Sequence, residues 1–182
     1  MQVYLKKHGT EFPLHRIQAS WSKVDRKVTI EFQIQKRTGP EWNSDELFTN
    51  DWSKNWGLWN KDVFEAFLQL RKDEADIKAP YLEIQVSPLN QPFALVIQEP
   101  RKTYFPPKEL DFKTEITELS TKIFAGKMEV LLPNELQGEL LFGGFFSCLN
   151  QAPREYYALE PNPENSPDFH RPELFLSLEE HV

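Results

Sequence analysis

The sequence predicts an all-β fold: a two-sheet antiparallel β-sandwich of the immunoglobulin or jelly-roll kind, with long loops and at most one short helix. Three observations carry this. Apolar and polar side chains alternate strictly in several short runs, most cleanly at 27–35 and 81–87, and side chains two apart share one face of a strand. The 14 prolines cut the chain into short segments, as turns between strands require. Aromatic residues reach 13%, and their side chains suit the half-buried surface of a sheet. A chain of 182 residues can bury a substantial core, and no repeat or linker divides it, so 1–182 reads as one domain.

Taken in order, residues 1–20 are mixed. Val3 with Leu5, and Leu14 with Ile17, suggest one or two short edge strands. In 27–35, Val28, Ile30, Phe32 and Ile34 alternate with Lys27, Thr29, Glu31, Gln33 and Gln35, the mark of a half-buried antiparallel strand. Residues 36–61 hold Gly39, Pro40, Asn43, Asn50, Asn55 and Gly57 with Trp42, Trp52, Trp56 and Trp59. So long a loop in a compact domain is usually functional. In the strand at 63–70, Phe64, Ala66, Leu68 and Leu70 make a core face, while Val63, Glu65, Phe67 and Gln69 make the other.

Residues 71–80 form a charged hairpin tip. In 81–87, Leu82, Ile84 and Val86 oppose Tyr81, Glu83, Gln85 and Ser87, and this strand pairs with 93–98 as a hairpin. Residues 100–107 are a loop with Tyr104 and Phe105. The segments 109–120 and 121–132 are a weaker pair of strands. Pro133 to Gly138 reads as one helical turn stopped by glycine. The run 139–149 is a central strand, its Gly143-Gly144 marking a bulge or a close backbone approach. Residues 150–172 are loop, with Tyr156-Tyr157-Ala158-Leu159 as the apolar piece, and 173–178 is a last strand.

Composition also excludes. The net charge of −7 argues against nucleic acid, since phosphate binding needs a basic patch. No apolar run is long enough for a membrane span. No apolar stretch follows Lys6 and Lys7, so no signal peptide is seen; the expected location is cytoplasmic as given, or periplasmic or secreted if a leader has been removed. No nucleophile-elbow, zinc-protease, Walker or Rossmann motif occurs, so no enzyme is expected. A glycoside-active pair among the 28 acids is a minor alternative. His8, His15, His170 and His181 lack metal-ligand spacing. No cofactor is expected, though a structural calcium held by Asp and backbone oxygens stays open. The single Cys148 cannot form an internal disulfide and reads as a small core residue.

The candidate site is assembled around Trp59. An indole is a flat plate for the C–H face of a pyranose, and carboxylates and amides bond the hydroxyls around it. Trp59 stands just before the strand that carries Glu65. Glu83 and Gln85 share the polar face of the next strand, and Ser166-Pro167-Asp168-Phe169-His170-Arg171-Pro172 precedes the last. Each of these tryptophans and polar residues could equally be a core anchor or a solvent-facing sheet position.

The run Trp59-x-x-Asp62-x-x-Glu65-x-Phe67-Leu68 resembles the motif of family 9 carbohydrate-binding modules and of the wider DOMON-like sandwiches. Tyr156-Tyr157-Ala158-Leu159 and the 167–172 segment resemble a bacterial stand-alone subgroup. In that family a sugar lies between two tryptophans, one before the Asp-x-x-Glu strand and one in a late loop. The resemblance therefore implies that Trp59 and Phe169 stack on a saccharide. Glu65, Glu83 and Gln85 would bond its hydroxyls, and His170 and Arg171 would line the rim. Asp62 and Trp56 would support the site structurally, with Asp62 capping loop N–H groups. Phe169 departs from the family pattern, standing where the second tryptophan belongs. The alternative is a protein-interaction or scaffold domain on the same fold, its sugar site degenerate, with Trp42, Trp52 and Trp56 as an exposed aromatic loop.

Overall fold

The computed structural model describes residues 2–8, 15–36, 41–150, 153–161 and 167–178. Leu14, Gly39, Pro40, Ser166 and His181, named above, lie outside these residues. Thirteen strands form among the described residues: β1 (Gln2–Tyr4), β2 (Lys6–Lys7), β3 (His15–Val24), β4 (Lys27–Lys36), β5 (Val63–Arg71), β6 (Tyr81–Val86), β7 (Pro92–Glu99), β8 (Thr103–Phe105), β9 (Phe112–Leu119), β10 (Ile123–Leu131), β11 (Leu140–Leu149), β12 (Glu155–Ala158) and β13 (Leu176–Ser177). Two antiparallel sheets result. One runs β1-β3-β4-β10-β9; the other runs β2-β12-β11-β5-β6-β7-β8, with β13 also paired to β11. This is the two-sheet antiparallel sandwich that the alternation predicts.

The core between the sheets follows from that alternation. Ile30, Phe32 and Ile34 of β4 face Phe64, Ala66 and Leu68 of β5 and Leu82 and Ile84 of β6, all buried. The Phe32 and Phe64 rings stack at 4.3 Å. Buried aromatic side chains give up large apolar areas to water-free contact, so this layer supplies most of the drive to fold.

The larger sheet is covered on its other face too. Val63, Phe67, Tyr81, Phe93, Leu95, Phe142 and Phe175 form a second buried cluster there. Every position of β5 and β6 is consequently buried. That removes the reading of Glu83 and Gln85 as a wet sheet face. The cover comes from two loops. The tryptophan loop is held by the buried Asn55, whose Nδ2 donates to Thr49 O at 2.7 Å and Pro92 O at 2.6 Å, and by Gln91 Nε2, which donates to Asp45 O at 2.7 Å. The late loop is held by Arg71 Nη2, which donates to Pro172 O at 2.6 Å. Trp21 Nε1 donates to Leu178 O at 2.8 Å beyond it.

Several expectations need correction. Trp42 and Trp52 are half-buried and pack on the inter-sheet core, so they are not an exposed aromatic loop; Lys36 Nζ lies 3.9 Å from the Trp42 ring centre. Residues 133–138 make a turn, with Leu136 N donating to Pro133 O at 3.0 Å, and no helix; the full burial of Leu136 fixes the turn. Two short 3-10 segments occur instead, Leu58–Asn60 and Pro172–Leu174. The second shortens the last strand to β13, because Pro172 pre-sets the helical φ at its first position. β3 is a full ten-residue strand, not a short edge piece. The apolar piece in 150–172 is the strand β12, and Tyr104-Phe105 belongs to β8. At Gly143 an added Cβ would lie 2.6 Å from Phe67 O, so the glycine marks close backbone approach with unbroken register, not a bulge.

Candidate functional site

The outer face of the larger sheet carries a cleft of about 430 Å³ between the two covering loops. That volume lies within the usual range for a small-molecule pocket. Its floor is β5, β6 and β11. Glu65 of β5 pairs in register with Gln85 and Phe146, and Phe67 pairs with Glu83. The period of two then puts Glu65, Phe67, Glu83 and Cys148 on one face. Both acids are nearly withdrawn from solvent, Glu65 being 3% and Glu83 5% exposed.

The walls are aromatic. Trp59, half-buried, packs at 5.6 Å from Phe93 and edge-on to Trp56 at 5.0 Å. Trp56 is the exposed lip and stacks on Tyr104 at 5.6 Å. On the far side Phe169 stacks flat on Phe146 at 4.5 Å and meets Tyr156 edge-on. Trp59 and Phe169 line the same cleft. Arg154 joins the walls: its Nη2 donates to Trp59 O, and its guanidinium lies 5.0 Å from the Tyr156 ring centre.

Burial and mutual repulsion set the electrostatics. Glu65 sits well above the ordinary carboxylate range, first because it is desolvated and second because Glu83 lies close. Desolvation raises Glu83 as well, opposed by the hydrogen bond from Gln85 Nε2 to its Oε1 at 2.6 Å. The pair therefore takes up protons near neutrality, well above the ordinary carboxylate range. Glu65 Oε1 has the Cys148 thiol at 3.5 Å; no hydrogen bond from the described residues reaches its Oε2. Burial lowers His170, so its ring is neutral near pH 7. Tyr81 Oη and His170 Nδ1 share a hydrogen bond at 2.8 Å, and the ring Nε2 lies 3.9 Å from Glu83 Oε2. The imidazole also stacks on Phe67 at 5.1 Å. Asp168 is neutralised by Arg101 and accepts the His170 N–H at 3.1 Å.

Of the residues named from sequence, Trp56, Trp59, Glu65, Glu83, Phe169 and His170 line the cleft. Gln85 and Arg171 do not. Gln85 is fully buried behind Glu83, because its strand face is roofed; Arg171 is drawn aside to the Glu173 carboxylate. Asp62 lies at the base of the tryptophan loop, accepting the N–H groups of Asn43 at 2.8 Å and Asn150 at 2.6 Å. Sequence reasoning missed Cys148, Arg154, Tyr156, Tyr104 and Arg101 as lining residues. Cys148 carries a signal, since it shares strand parity with Phe146; Arg101 sits in a turn and Arg154 just before β12, and neither carries one. Among the described residues, no group of three or more His, Cys, Asp or Glu could hold a metal ion. No helix of the described residues is long and apolar enough to cross a membrane.

No protein-family model matches the sequence, and no curated protein matches it. Two solved structures do match in fold. A family 9 carbohydrate-binding module from Caldicellulosiruptor kristjanssonii in complex with cellotriose aligns with a TM-score of 0.59 at 14% identity, over 96% of this chain and 79% of that one. A family 9 module from the same organism in complex with glucose aligns with a TM-score of 0.58 at 14% identity, over 95% of this chain and 82% of that one. The resemblance at Trp59–Leu68 thus meets an independent likeness in three dimensions, while the wider DOMON-like grouping receives no support from it. The chain has the β-sandwich fold of family 9 carbohydrate-binding modules.

Proposed function

We propose that the cleft binds a saccharide and does so without catalysis. The carrying observation is that buried Glu65 and Glu83 form the floor between Trp59 on one wall and Phe169 on the other. Apolar plates suit the C–H faces of a pyranose, and carboxyl groups beneath them suit its hydroxyls. Two modules of the same fold, solved with cellotriose and with glucose, support the same ligand class. Saccharide is the proposed partner; no role is proposed for nucleic acid, membrane or cofactor.

Titration with glucose and cellobiose, followed by tryptophan fluorescence, tests this. Saturable quenching or enhancement is expected, and Trp59→Ala should abolish it. No response to either sugar at millimolar concentration would defeat the reading. A protein-interaction role is the second reading, favoured by the lip, where Trp56 is 56% and Tyr104 46% exposed. A partner whose capture is lost in Trp56→Ala, from a protein that ignores sugars, would select it.

A further inference from the structure

The charge balance of the cleft floor is one cation short. Glu65 forms no ion pair among the described residues, and its Oε2 is open toward the cleft. The nearest basic group to Glu83 is the His170 ring at 3.9 Å, neutral for the reason given above. Asp168 is already matched by Arg101. Arg154 is the remaining positive charge acting on Glu65; its guanidinium bonds the Trp59 carbonyl and the Cys148 thiol and forms no ion pair with Glu65 among the described residues. Cys148 faces Glu65 as a protonated thiol, raised by burial. Two carboxyl groups thus have one guanidinium beside them that pairs with neither, and protonation fills the deficit. A neutral hydroxyl does not correct that imbalance; a ligand cation does. The rings of Trp59 and Phe169 line the same cleft, and aromatic faces favour positive charge.

Resting on the saccharide reading, we propose that the preferred ligand is an amino sugar. Its protonated primary amine would sit between the Glu65 and Glu83 carboxylates while Trp59 and Phe169 hold the ring. The ammonium favours the ionised carboxylates, so binding releases protons held by the pair to the buffer.

The test is calorimetric titration of the whole chain with glucose, glucosamine and N-acetylglucosamine at about pH 6.5, below the range of an α-amino group. Glucosamine is expected to bind at least ~10-fold more tightly than glucose, and N-acetylglucosamine no more tightly than glucose. Repeating the titrations in buffers of different ionisation enthalpy should show proton release with glucosamine and none with glucose. In Glu83→Gln the glucosamine-to-glucose ratio should fall toward one. If glucose binds as tightly as glucosamine, the amine preference is wrong and saccharide binding stands. If none of the three binds, both fall. These comparisons on the unaltered protein do not depend on any variant folding.

Discussion

Asp62 Oδ1 accepts the backbone N–H of Asn150 at 2.6 Å, across 88 residues of sequence. Its Oδ2 takes the Asn43 N–H at 2.8 Å and lies 3.3 Å from Lys36 Nζ. One buried carboxylate therefore ties both ends of the tryptophan loop to the ends of β4 and β11. Removing it breaks a buried ion pair with Lys36 and takes the acceptor from two backbone N–H groups. Asp62→Ala is expected to lose ~3–5 kcal/mol of stability, the usual cost of breaking a buried pair. Denaturant unfolding measures this, and Asp62→Asn, which keeps acceptor oxygen, should lose less.

Stability should fall with rising pH across neutrality. Glu65 and Glu83 titrate above their ordinary value of 4.5 in the folded chain. Between that value and their folded range the folded state binds more protons, so unfolding becomes easier as pH rises. His170 has the opposite sign, its folded value lying below 6.5, so its contribution is complete above that pH. Asp45 and Asp51 are lowered and act below their ordinary value of 3.8. Above pH 6.5 the opposing His170 contribution fades, and the carboxyl pair should set the sign of the slope up to about pH 8, at most ~1.4 kcal/mol per pH unit for each proton. Unfolding curves through this window should show the decline, and Glu65→Gln should flatten it.

Cys148 should be inert in the folded protein. It is 3% exposed, and burial followed by the charge of Glu65 pushes its thiol up. The thiolate is the reactive form. Alkylation at pH 8 should be negligible for the native chain and complete in denaturant. Rapid native labelling would show that the floor opens.

Phe169→Trp should strengthen saccharide binding by about 3- to 10-fold, since an indole offers more stacking area than a phenyl ring. The Phe146 ring beneath it already orients the plate. Weaker binding would mean that the wider ring closes the cleft.

The strands of the inner core were legible because one face is buried and period two exposes that fact. β4, β5 and β6 show it directly. β3 was harder, since Ile17, Ala19 and Trp21 alternate with Arg16, Gln18, Ser20 and Ser22, and one inward residue is only a methyl group. The roof over Glu65, Glu83 and Gln85 was not legible. Polar residues on alternate positions look alike whether water or a distant loop covers them. Trp59, Glu65 and Phe169 could be placed together only through the motif resemblance. Arg154 and Arg101 reach the cleft from outside the strands, where no periodicity reports direction. The Arg171 and Glu173 contact arises from the local 3-10 turn, which spacing alone did not reveal.

The late loop is fastened by Arg71 to Pro172, by β13 on β11, and by Trp21 to Leu178. Each fastening joins a segment made late in translation to one made earlier. β1 to β12 precede this loop in the chain, so the cleft wall that carries Trp59 is synthesised before the wall that carries Phe169. A chain clipped before Pro167 therefore keeps Trp59, Glu65 and Glu83 but lacks the opposing Phe169 ring.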